Sequence, residues 1–247
     1  MDAFFFWTLV ILFATHLVGG LAAFGSTLLA LPLLLLVGWE LRPAVGVLLI
    51  VGSVQAVSMA VLTGRGADRA ALLRMLLVAG AGLPVGFLFA HVLPQTGLQV
   101  VLGVVLAAAG ASRLIEHWRK REWRPPAWAL WTLLGAGGII HGAFGSGGAT
   151  LTVYGRYALP TKEAFRGTLS IMWVVLNVFV IGGLIAEGSV GGGVAKVALP
   201  GAVAILAATL LGHRLAERLS QARFRDVVAG LLCVAGAVTI ARSLGGI

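Results

Sequence analysis

The sequence predicts an all-α integral membrane protein with two inverted-topology repeats of about five helical segments, each with a broken or re-entrant glycine-rich pair. Three observations predict it. Of the 247 residues 59% are hydrophobic and 11% are charged, against about a quarter charged in soluble domains. The apolar residues form ten segments, and glycine-rich sequences interrupt them at corresponding places in the two halves.

The apolar segments fall into two groups of five. The first group lies near 3–23, 26–38, 43–63, 71–93 and 97–115, and the second near 127–143, 146–160, 167–187, 194–212 and 224–243. A charged stretch that ends in a Pro-Pro pair separates the groups. We therefore predict a first transmembrane repeat over 1–115, a basic cytoplasmic linker over 116–126 and a second, inverted repeat over 127–247.

The second segment of each group is too short to cross a bilayer alone. A dozen helical residues cover about 18 Å, whereas a hydrocarbon layer is about 30 Å thick. We expect each short segment to pair with its predecessor as a broken helix or re-entrant hairpin, although two tilted, tightly packed ordinary helices are an alternative. Both pairs meet at the sequence Phe-Gly-Ser, at 24–26 and 144–146.

The distribution of basic residues predicts the orientation. Fifteen of the 18 Lys and Arg residues fall in four loop regions, at 65–74, 113–124, 156–166 and 214–225. Lys and Arg collect on the cytoplasmic side of a membrane. This assignment gives the two halves opposite topology, because each has an odd number of segments. It places both termini on the periplasmic side of a bacterial inner membrane.

The remaining composition excludes several function classes. The net charge of +9 resides in short loops, so we do not expect nucleic-acid binding. Charged residues inside a membrane mark ion paths, and none lies near the middle of a predicted span, which favours a neutral or anionic substrate. Because Cys-x-x-Cys, His-Glu-x-x-His and Walker sequences are lacking, we predict no enzyme, no catalytic residue, no metal site and no cofactor.

A helix that begins at Ser26 or Ser146 offers an anion site. The N–H groups of its first turn lack partners within the helix, and the helix dipole adds partial positive charge. Glycine lets a ligand approach the backbone closely. Interrupted helices in corresponding halves also indicate a transporter's binding site. We predict that the anion is bound by Gly25, Ser26, Thr27, Gly145, Ser146, Gly147 and Gly148.

Three polar side chains are expected to assist these turns. His141 precedes the second turn and either carries a proton with the anion or serves as a structural imidazole. Gln55 and Asn177 lie near mid-span, where they either line the path or join helices by hydrogen bonds. Phe24 and Phe144 precede the two turns, and we consider them gates or ordinary packing residues.

The two glycine-rich sequences resemble those of the sulfite exporter TauE/SafE family. In that family each half opens with a glycine-rich segment followed by a proline-bearing apolar run. Residues 20–32 (GLAAFGSTLLALP) match the first segment, and 138–148 (GIIHGAFGSGG) match the second. The chain departs from the family where Ser26 and Thr27 replace two frequent glycines, and where 153–155 (VYG) replaces the usual Val-Pro.

The resemblance implies transport of sulfite, thiosulfate, a sulfonate or a sulfoacetate-like anion, often outward. We therefore expect a secondary transporter of a small sulfur-containing anion, in which one half rocks against the other to give alternating access. A channel-like anion facilitator and a non-transporting membrane scaffold or assembly protein are the alternatives. The expected partners are the anion and the lipid bilayer, and proton coupling and a homodimer are left open.

Overall fold

The computed structural model describes residues 3–22, 25–119, 125–159, 161–216 and 221–245. These residues form ten α-helices and one short 3-10 turn (Gly64–Gly66), with no strand among them, which confirms the all-α class. The helices are α1 (Ala3–Ala22), α2 (Ser26–Leu36), α3 (Leu41–Thr63), α4 (Arg69–Val92), α5 (Gln95–Arg119), α6 (Ala127–Phe144), α7 (Gly148–Ala158), α8 (Lys162–Ala186), α9 (Gly192–Leu215) and α10 (Gln221–Ser243).

Each predicted segment corresponds to one helix, and eight helices are long and apolar enough to cross a membrane. The other two, α2 and α7, have 11 residues each, which at 1.5 Å per residue gives about 16 Å. The protein is thus a multi-pass membrane protein with a short helix second in each half. The predicted linker 116–126 begins within α5, and its residues 120–124 lie outside the described ranges.

The start of α8 differs from the prediction. The Thr161 hydroxyl accepts a hydrogen bond from the Ala164 N–H at 3.0 Å, and this N-cap begins the helix at Lys162 rather than at 167. Arg166 was expected in a loop, and that part of the prediction is wrong, while the side of the membrane on which it lies stays a prediction. It lies within α8 with 6% of its surface exposed, and its Nη2 donates to the Gly20 carbonyl oxygen at 3.0 Å.

The helices of the two halves interleave. Helix α1 packs along α9, and α4 packs along α6, so each of these pairs joins one helix from each half. Helix α3 packs along α8, and α5 along α10. A two-fold relation between the halves would produce this exchange of partners. The inverted orientation of the halves stays a prediction.

Glycine allows several of these pairs to approach to backbone contact. A Cβ placed on Gly86 of α4 would lie 1.9 Å from the Ile139 carbonyl oxygen of α6, and one on Gly138 would lie 1.9 Å from the Ala79 oxygen. A Cβ on Gly212 of α9 would lie 2.5 Å from the Leu17 oxygen of α1. In a bilayer, close packing of this kind replaces the hydrophobic effect as a source of helix association. These seams therefore bind the two halves together.

Candidate functional site

The two glycine-rich turns meet inside the helical bundle. The side-chain oxygens of Thr27 and Ser146 are 3.2 Å apart, although the residues are 119 positions apart in the chain. A Cβ placed on Gly148 would lie 4.0 Å from the Gly25 nitrogen. The structure thus brings both interruptions of the sequence to one place.

The first turn leads directly into α2. Gly25 has φ 91°, a left-handed conformation that favours glycine, and it is the N-cap of α2 without a side-chain capping bond. The first intrahelical bond runs from the Leu29 N–H to the Gly25 carbonyl at 3.1 Å. The N–H groups of Ser26, Thr27 and Leu28 therefore lack partners within the helix.

The second turn is longer than predicted. Helix α6 ends at Phe144, and Gly145 has φ 61° and donates its N–H to the His141 carbonyl at 2.8 Å. Helix α7 begins at Gly148. The expected start at Ser146 is therefore wrong, because Ser146 and Gly147 belong to the turn that precedes the helix. The N–H groups that head α7 belong to Gly148, Ala149 and Thr150, since the first intrahelical bond comes from the next residue.

A cavity of about 60 Å³ lies between the two turns. One water needs roughly 10–15 Å³ of such a cavity, so the space suits a few waters or one small oxyanion. Its lining residues are Gly19, Gly25, Ser26, Thr27, Gly52, Gln55, Ala56, Met59, His141, Gly145, Ser146, Gly148, Ser170, Trp173 and Asn177.

Nine of the ten residues predicted to bind the anion line this cavity. The exception is Gly147, which packs behind the turn, where a Cβ would lie 2.2 Å from the Gly137 carbonyl oxygen. Of the two predicted gates, Phe144 is 2% exposed within the hydrophobic core and does not line the cavity. Phe24 lies outside the described residues.

The Gln55 side chain links its own helix, α3, to three others. Its Oε1 accepts from the Ser26 hydroxyl at 2.8 Å, and its Nε2 donates to the His16 carbonyl at 2.8 Å and to the Thr209 hydroxyl at 3.1 Å. Both amide hydrogens of Gln55 are therefore used within the protein. The side chain holds the start of α2 against α1 and α9, in agreement with the helix-joining alternative.

Asn177 has a similar position on α8. Its Nδ2 donates to the Ser53 hydroxyl at 3.0 Å, and that hydroxyl donates to the Leu49 carbonyl at 2.7 Å. This bond connects α8 to α3 at the level of the cavity. The Asn177 side chain also lies near enough to the His141 imidazole to interact with it.

His141 is buried between the second turn and α8, with 1% of its surface exposed. Its Nδ1 accepts a long hydrogen bond from the Gly147 N–H at 3.4 Å. The imidazole packs beside the Trp173 ring with centroids 5.3 Å apart. Its Nε2 is buried and completes no hydrogen bond with any group in the described part of the chain.

Six lining residues were not anticipated from the sequence, and helical spacing would have identified most of them. Gly52, Ala56 and Met59 lie on α3 three to four positions from Gln55 or from each other, which places them on its face. Ser170 and Trp173 stand in the same relation to Asn177. Gly19 differs, because a Cβ there would lie 2.6 Å from the Gln55 Oε1.

Among the residues that the structure describes, those that line the cavity include no Asp, Glu, Lys or Arg. The Arg166 guanidinium donates to the carbonyl of Gly20, which is next to the lining residue Gly19. The residues that the structure describes include no group of three or more His, Cys, Asp or Glu side chains suited to a metal ion. The site therefore offers neutral donors and helix dipoles.

The comparisons with known proteins identify one family. The model of the sulfite exporter TauE/SafE family matches residues 7–239 of the chain. This match covers both glycine-rich turns, every residue that lines the cavity and all of the membrane-crossing helices except parts of α1 and α10. Neither the search of curated proteins nor the search of solved structures found a match.

Proposed function

Because the chain belongs to the sulfite exporter TauE/SafE family, we propose that it exports a small sulfur-containing anion across the bacterial inner membrane. Sulfite, thiosulfate, sulfonates and sulfoacetate are the candidate substrates. One observation carries this proposal beyond the family's description. The starts of two half-helices, one from each half of the chain, face one shared cavity whose described lining residues carry no charged side chain.

The helix starts supply the attraction for the anion. Each helix N-terminus is equivalent to roughly half a positive charge, and free N–H groups at such an end bind oxyanions directly. The starts of α2 and α7 contribute together, since Gly25 and Gly148 lie side by side. An anion held by dipoles and not by a buried arginine can be released again, as a transport cycle requires.

The test of this function is transport by purified protein in liposomes. We expect saturable flux of labelled sulfite, thiosulfate or sulfoacetate, and we expect Ser146→Leu to abolish it because the leucine fills the cavity. Ser112→Leu is the matched control, since Ser112 is exposed on α5 and donates only to the Ala109 carbonyl. Both variants must be recovered folded.

Each other outcome is informative. Wild-type flux in Ser146→Leu would contradict the proposed site. Flux that does not saturate would indicate a channel-like facilitator. A wild-type protein that neither binds nor moves any of these anions would indicate a scaffold and overturn the proposal.

We also propose that alternating access moves pairs of helices drawn from both halves. Rocking of the first half against the second would open the α1–α9 and α4–α6 seams together. Both seams have backbone contacts at glycine, which makes their separation costly. Motion of the α4–α6 pair relative to the α1–α9 pair keeps the seams closed and still separates the turns carried by α1 and α6.

A cross-link distinguishes these two motions. A Cβ placed on Gly135 of α6 would lie 4.0 Å from a γ-carbon of Val78 on α4, so cysteines at these two positions are neighbours whose cross-linking can be tested. In a Cys233→Ser background, oxidation of Val78→Cys with Gly135→Cys should leave flux unchanged, because the bond stays within one moving pair. Flux that is lost on oxidation and restored by a reductant would favour rocking of the sequence halves.

A further inference from the structure

Two buried histidines of the protein use opposite ring nitrogens. The Nδ1 of His16 lies 2.8 Å from the Leu12 carbonyl oxygen, which can only accept a hydrogen bond, so this nitrogen carries the proton. The Nδ1 of His141 lies 3.4 Å from the Gly147 nitrogen, which can only donate. Nδ1 of His141 is therefore unprotonated, and the proton of a neutral ring lies on Nε2.

The environment of the His141 Nε2 leaves this N–H unused. Asn177 lies near enough to the imidazole to interact with it, yet Nε2 has no partner at hydrogen-bond geometry among the described residues. Buried donors without a partner are rare, because such a donor loses its hydrogen bonds to water and gains none in the protein. His141 also lines the cavity between the turns, so a ligand there would provide the missing acceptor.

We propose that His141 is a neutral hydrogen-bond donor to the transported anion through its Nε2–H. This inference rests on the proposed function, and it gives His141 a role that differs from both the proton carrier and the purely structural imidazole considered from the sequence. Proton uptake at Nδ1 would set one N–H against the N–H of Gly147. It would break the contact that holds the second turn, so His141 donates to the anion and does not carry a proton for it.

The imidazole adds a third direction from which donors reach the cavity. The other two are the start of α2 and the start of α7. The oxygens of a sulfite ion or of a sulfonate group, which are candidate substrates of the proposed function, can accept from all three.

Nitrogen NMR of the wild-type protein in nanodiscs, with labelled histidine, tests this assignment directly. We expect His141 to show the Nε2–H tautomer and His16 the Nδ1–H tautomer, with His141→Gln identifying the signals. Added sulfite or methanesulfonate should shift the His141 Nε2 signal and leave His16 unchanged. A doubly protonated or Nδ1–H form of His141 would overturn the inference. A His141 signal that does not shift when an anion binds would overturn it as well.

Two substitutions test the donor by affinity. Glutamine keeps an N–H donor at about the position of Nε2, so His141→Gln should bind sulfite within about threefold of the wild type. Leucine has no donor, so His141→Leu should bind sulfite at least about tenfold more weakly, the effect of one hydrogen bond to a charged group. The NMR measurement uses the wild type, and the only variant that must fold for it is His141→Gln, which assigns the signals.

The outcomes separate this inference from the proposed function. If the wild type binds sulfite and His141→Leu binds it equally well, the role of His141 is overturned and the anion site stands. If the wild type binds none of sulfite, thiosulfate and methanesulfonate, the proposed function is overturned and the inference falls with it.

Discussion

The two glycine-rich turns look alike in sequence and differ in packing. No atom of the described residues lies within 4 Å of a Cβ placed on Gly25. In the second turn, a Cβ on Gly145 would lie 2.9 Å from Leu49, and one on Gly147 would lie 2.2 Å from the Gly137 carbonyl oxygen. At Gly25 the first turn thus borders the cavity, while Gly145 and Gly147 of the second turn are packed tightly against α3 and α6.

The difference indicates different tasks for the two turns. Close packing and the His141–Gly147 contact hold the second turn in place, so it presents the start of α7 as a fixed surface. The described part of the first turn has room beside Gly25 and is tied through the Ser26–Gln55 and Thr27–Ser146 hydrogen bonds. We infer that the first turn adjusts around the anion while the second turn positions it.

Among substitutions in the two turns, Gly147→Ala is expected to lower stability most. Its methyl group would meet the Gly137 carbonyl oxygen at 2.2 Å and the His141 Cβ at 2.9 Å, and backbone cannot move aside cheaply. Overpacking of this kind costs about 1–3 kcal/mol, occasionally more. Thermal unfolding in detergent should show a large fall in Tm or little folded protein. A wild-type Tm would contradict the packing of the second turn.

A matched pair of substitutions compares the turns directly. Gly145→Ala and Gly25→Ala both place alanine in the left-handed region, which costs about 1–2 kcal/mol. Gly145→Ala also presses on Leu49, so it should lower the free energy of unfolding more than Gly25→Ala does. Unfolding curves of both variants measure the difference, and the reverse order would refute the contrast between the turns.

Ser26→Ala should have a smaller effect on stability. It leaves the Gln55 Oε1 without the hydroxyl that it accepts from at 2.8 Å, and a buried acceptor without its partner costs about 1–3 kcal/mol. We expect the lower end of that range, because Ser26 borders the cavity and water can replace the hydroxyl. A cost equal to that of Gly147→Ala would show that the first turn is as rigid as the second.

Gly148→Ala should leave stability almost unchanged and still impair binding. Its methyl group would make ordinary contacts at 3.8–4.0 Å with Leu28, Trp173 and the Gly25 nitrogen. These contacts occupy the space between the helix starts, so sulfite should bind more weakly at an unchanged Tm. Gly80→Ala is the control. It lies on an open part of α4 and should leave the affinity for sulfite unchanged.

Much of this architecture could be predicted from the sequence because lipid imposes strong rules. Apolar length and the missing charges identified all ten helices, and the repeated Phe-Gly-Ser located the two turns. The extent of the second turn could not be read, because Ser146 is as good a helix start as Gly148 until the packing of Gly147 is known. The burial of Arg166 depends on a carbonyl of α1, far away in the chain.

The pairing of helices across the halves was also beyond the sequence. Glycine at Gly86 or Gly138 indicates close packing but does not say which helix is the partner. The role of Gln55 was left open for the same reason, since its two acceptors, His16 and Thr209, come from α1 and α9. Contacts between distant segments decide such roles, and no local pattern reports them.

The central claim is that one anion is bound between the starts of α2 and α7. Diffraction from crystals grown with selenite, an anomalously scattering analogue of sulfite, tests it most directly. We predict a selenium peak in the cavity, with oxygens within hydrogen-bond distance of the Ser26–Leu28 and Gly148–Thr150 N–H groups. A peak at another site, with this cavity empty under conditions in which selenite is transported, would contradict the account.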